Sequence, residues 1–90
     1  MRQSLARAAR IDDEADDLLG ELQQTLARLA DVEMRHEVEC EQIAAGSGPA
    51  TDKDRLSEAC EHRYHLAREP YLRRLNELQH QTRLRILGDL

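Results

Sequence analysis

The sequence predicts an all-α chain, a long antiparallel helical hairpin whose second helix is kinked or broken at Pro70, pairing with a second copy into a dimeric four-helix bundle. Three observations lead there. Apolar residues recur in steps of three and four along two long segments, and a Gly-Ser-Gly-Pro break separates those segments. The composition, 34% charged with Tyr64 and Tyr71 as the only aromatics, suits long helices better than a compact globule. Ninety residues make at most one domain, near the size at which a single core struggles to offset chain entropy.

Residues 1–10 read as a basic N-terminal arm carrying Arg2, Arg7 and Arg10, followed by the acidic run Asp12, Asp13, Glu14, Asp16 and Asp17. Residues 11–90 form the hairpin, with a first helix over 11–45. Its stripe runs Ile11, Ala15, Leu18, Leu19, Leu22, Leu26, Leu29, Val32, His36, Cys40 and Ile43. A turn follows at 46–51, where two glycines are expected to take positive φ at the helix C-cap and Pro49 prevents continuation. The second helix spans 52–88, with Thr51 as its N-cap and Asp54 three residues on. Its stripe is Leu56, Cys60, Tyr64, Ala67, Tyr71, Leu75, Leu78, Thr82 and Ile86, and it keeps its phase through Pro70. At 1.5 Å per residue the hairpin should be roughly 50 Å long.

Folding the stripes back on each other pairs positions whose numbers sum to about 100. Cys40 then meets Cys60, His36 meets Tyr64, Leu29 meets Tyr71 and Leu22 meets Leu78, while the early acids fall beside Arg83 and Arg85. The expected seam is Leu18, Leu22, Leu29, Val32, Tyr64, Tyr71, Leu75 and Leu78. Leu19, Leu26, Leu66, Leu72, Leu84 and Leu87 lie outside it and widen the apolar surface beyond what two helices cover, so they form the expected interaction face.

The net charge of −5 opposes general nucleic-acid binding, because a polyanion repels an acidic surface. No segment approaches the ~20 apolar residues of a membrane span, and the N-terminus lacks a signal-peptide core, so a cytoplasmic setting without membrane partners is expected. No catalytic motif or phosphate-binding glycine loop is present, which argues against an enzyme and calls for no cofactor. Small helical enzymes that bind dicarboxylates need cations inside the bundle, and the predicted seam holds none. Cys40 would make a poor nucleophile among Glu37, Glu39 and Glu41, since acidic surroundings raise a thiol pKa.

Cys40 and Cys60 are candidates for a disulfide or for a pair of buried thiols at mirror positions of the hairpin. With Glu33, His36 and His65 they also form a candidate metal-ligand set, since sulfur and imidazole suit zinc and Glu33-Met34-Arg35-His36 is an ExxH on one helical face. The functional expectation is a non-enzymatic protein-protein interaction module. It would be a small adaptor, chaperone or regulator that binds itself and another protein through the apolar face. The alternatives are a metal-binding bundle and a coiled-coil spacer of a larger complex.

Overall fold

A computed structural model describes residues 2–88, with side chains described from Glu14 onward. It consists of two helices, α1 (Arg2–Ala45) and α2 (Ala50–Gly88), packed antiparallel as an extended hairpin. Leu, Ala, Glu, Arg and Gln favour helix throughout, and no glycine or proline interrupts the chain between Gly20 and Gly46. The rod measures 74 × 17 × 15 Å, longer than the sequence suggested because α1 begins at Arg2.

The connection differs in detail from expectation. Among the described residues no glycine has a positive φ. Instead, the Gly46 amide closes a tight turn onto the Ile43 carbonyl at 3.3 Å, and the Lys53 ammonium reaches back to the Ala44 carbonyl at 3.2 Å. A cation from the start of α2 thus serves a carbonyl that a left-handed glycine often satisfies, and complements the negative end of the α1 dipole. α2 starts at Ala50 rather than after Thr51, because the Pro49 carbonyl already accepts from the amides of Asp52 (3.1 Å) and Lys53 (3.2 Å). Further along, α2 runs through Pro70 as one helix and is not broken there.

The predicted register holds. Cross-helix partners have numbers that sum to about 100, including His36 with Tyr64, Glu33 with Arg68, Glu39 with Cys60 and Glu14 with Arg85. Leu78 is fully buried and Cys60 is 2% exposed. Leu18, Leu22, Leu29, Val32, Ile43, Tyr64, Tyr71 and Leu75 are half-buried along the seam. Thr25, skipped by the apolar count, is buried at 7% exposure because its hydroxyl donates to the Glu21 carbonyl one turn back at 2.8 Å. Leu56, Ala67 and Ile86, which continue the apolar stripe in sequence, are exposed.

The seam is not free of cations, contrary to expectation: Arg68, Arg74 and Arg85 are half-buried at its edges. Their aliphatic stems cover apolar surface, and the Arg68 Nε is itself buried, without a hydrogen-bond partner, 3.7 Å from Glu33. Three ion pairs cross one flank of the rod, Glu14 with Arg85 at 3.1 Å, Glu21 with Arg74, and Glu39 with Arg63 at 3.1 Å. At about 100° per residue, Leu19 and Leu26 on α1 and Leu72 and Leu75 on α2 fall on the opposite flank. There Leu19, Leu22, Leu26 and Leu75 line a shallow groove bordered by Gln23, Gln79 and Arg83.

Candidate functional site

Two surfaces stand out, a cluster of soft ligands near the closed end and the apolar groove near the open end. The cluster follows from helical spacing. His36 and Cys40 lie one turn apart on α1, and the antiparallel register brings Cys60, Glu61 and Tyr64 of α2 against them. The His36 ring stacks on Tyr64 with centroids 4.0 Å apart and planes 17° from parallel. Its Nε2 lies 2.9 Å from Glu61 Oε1, and the other oxygen of that carboxylate, Oε2, lies 3.6 Å from His65 Nε2. A carboxylate accepts only, so Nε2 is the donor to Glu61 and Nδ1 is the ring nitrogen left for other partners. Nδ1 is 3.6 Å from Cys60 Sγ and 3.9 Å from Cys40 Sγ.

Both cysteines are free thiols, Cys40 exposed and Cys60 buried. The Cys60 thiol donates to Glu39 at 3.1 Å, and the same carboxylate oxygen accepts from Arg63 at 3.1 Å. The hydrogen bond to Glu39, with burial second, pushes the Cys60 pKa up to about 11. Reciprocally, the Cys60 and Arg63 donors hold the Glu39 carboxyl below its ordinary value. The acidic effect foreseen around Cys40 is therefore seen at its mirror partner, delivered across the seam.

Of the five candidate ligands, His36, Cys40 and Cys60 bring one donor atom each within 4.8 Å of one another. Glu33 is engaged elsewhere: it accepts from the Tyr64 hydroxyl at 2.5 Å and lies 3.7 Å from Arg68. His65 is turned to Glu61. Apolar counting overlooked Glu39, although its position opposite Cys60 in the register would have found it.

No protein-family model matches the chain, and no match was found among curated proteins or solved structures. The geometry alone therefore carries the functional argument.

Of the expected interaction face, Leu19 (53%), Leu26 (51%), Leu66 (63%), Leu84 (55%) and Leu87 (65%) are all exposed, whereas Leu72 is half-buried. They do not share one side. Relative to Leu78 on the seam, Leu66 and Leu84 are rotated about 120° one way and Leu72 about 120° the other, with Leu87 on the back of α2. The groove flank gathers Leu19, Leu26 and Leu75, and helical rotation places Leu72 on the same side. Among the described residues, no helix is long and apolar enough to cross a membrane.

Proposed function

We propose that this chain is a non-enzymatic protein-protein interaction module whose apolar groove flank packs against the same flank of a second copy, giving a four-helix bundle. The asymmetry of the open half of the rod carries the proposal: there Glu14–Arg85 and Glu21–Arg74 cross one flank while leucines line the other, and the Glu33–Arg68 pair bounds the leucine surface toward the closed end. Surface area supports it. The chain exposes 7539 Å², whereas a compact monomer of its mass would expose about 5,400 Å². That surplus of about 2,000 Å² exceeds the ~800 Å² each partner buries in a standard interface. Its radius of gyration of 20.7 Å, against about 12 Å for a compact domain of this length, likewise leaves room for a partner to complete a core.

Sedimentation equilibrium of two matched variants tests this. Leu26→Asp places a charge in the groove and should yield a monomer, while Leu66→Asp on the other flank should remain dimeric. A monomeric parent protein, or dissociation by Leu66→Asp but not by Leu26→Asp, overturns the assignment. The four-helix core would leave the closed ends and the outer leucines, Leu66 and Leu84, available to another protein.

A further inference from the structure

We propose that His36 Nδ1, Cys40 Sγ and Cys60 Sγ form a zinc site that joins α1 to α2 near the closed end of the hairpin. This goes beyond the interaction module and does not depend on it.

The donor set is borderline-soft, one imidazole and two thiols, which is zinc chemistry rather than magnesium or calcium chemistry. In tetrahedral zinc coordination, ligand atoms are separated by about 3.6 Å for nitrogen and sulfur and about 3.8 Å for two sulfurs. Here the nitrogen-to-sulfur separations are 3.6 and 3.9 Å, and the sulfurs lie within 4.8 Å of each other. A point equidistant from the three donors is then no more than about 2.4 Å from each, against Zn–S and Zn–N distances of about 2.3 and 2.0 Å. Cys40 Sγ also lies 3.6 Å from Nε2, so coordination at Nδ1 requires the exposed Cys40 side chain to swing toward the Nδ1 edge of the ring.

The surroundings point the same way. Glu61 accepts from Nε2 at 2.9 Å, the outer-shell contact that orients zinc-bound histidines and raises their basicity. Tyr64 stacking fixes the ring plane. A cavity lined by Val32, Arg35, His36, Glu39, Cys60, Arg63, Tyr64 and Ala67 opens beside His36 and Cys60, and the exposed Cys40 thiol gives the metal a route from solvent that avoids its two arginines. On binding, two S–H bonds break and two Zn–S bonds form, with no change of oxidation state. The Cys40 proton passes directly to water and the Cys60 proton passes through the Glu39 carboxylate to water. The neutral imidazole gives its lone pair, two thiolates balance the metal charge, and the fourth position takes a water.

The site also answers a structural need. The hairpin fully buries few apolar side chains, and chains of this size commonly rely on a staple or on association.

The test is titration of the reduced, full-length protein with Zn²⁺ against a chromophoric chelator, and with Co²⁺ as an optical probe. One equivalent per chain, a thiolate-to-cobalt charge-transfer band and a higher melting temperature with zinc are expected. Cys40→Ser should weaken binding at least 100-fold and abolish the thiolate pattern of the parent. Because Cys40 is exposed, its metal-free helicity should be unchanged. Glu61→Gln should weaken binding about 10- to 100-fold while keeping both thiolates. Retention of full affinity by Cys40→Ser, a stoichiometry other than one per chain, or no binding by the parent overturns the site. So does isolation of the native protein with Cys40 and Cys60 joined as a disulfide that is not reduced under the titration conditions.

Discussion

The hydroxyl of Tyr64 on α2 donates to the Glu33 carboxylate on α1 at 2.5 Å, linking the helices beside the stacked His36 ring. The hydrogen bond to Glu33, followed by burial, raises the Tyr64 pKa above the ordinary 10.0. Because the folded value is the higher one, this contact contributes stability that is fully present below about pH 10 and is lost as pH rises through the folded pKa. In a Tyr71→Phe background, phenolate absorbance should therefore report a Tyr64 midpoint above 10. Glu33→Gln should bring it down toward the ordinary value; an unchanged midpoint would show that the carboxylate does not hold the phenol.

Leu78, fully buried on the seam, should dominate stability over any single ion pair. Truncation by Leu78→Ala removes packed methyl groups and leaves a cavity, a cost of about 2–5 kcal/mol. Arg74 pairs with Glu21 across the hairpin and with Glu77 on its own helix, yet all three side chains are substantially exposed. Arg74→Ala should cost much less, since water and salt screen such pairs. Urea unfolding of both variants at one protein concentration makes the comparison, and similar losses would contradict this ranking.

Pro70 offers a gain rather than a loss. α2 is continuous through it, but proline has no amide hydrogen to give the Leu66 carbonyl, and its ring crowds that turn. Pro70→Ala should restore the ladder bond and stabilise the hairpin by about 1–3 kcal/mol, visible as a higher melting temperature in circular dichroism. A lower melting temperature would mean that the proline ring itself is needed for packing.

Both helices, their antiparallel register and the break between them were legible in the sequence. Helix formation and termination are local, and a stripe in steps of three and four marks the side of each helix that must be buried. The pairing of His36 with Tyr64 and of Glu14 with Arg85 shows how far that information reaches. The closing of the turn by Lys53 and the burial of Thr25 were not legible. A lysine nine residues from the carbonyl it serves and a threonine that satisfies its own hydroxyl are invisible to an apolar count.

The sequence by itself determined a helical hairpin with surplus leucines and three soft ligands near one end. Tertiary structure alone decided the rotation of each helix about its axis. A turn of some tens of degrees moves a residue from seam to flank without changing the stripe. That rotation puts Leu72 and Leu66 on opposite sides, gathers Leu19, Leu26 and Leu75 around one groove, and aims Glu61 at His36 Nε2. Those outcomes depend on side chains far apart in sequence packing together, which local periodicity does not encode.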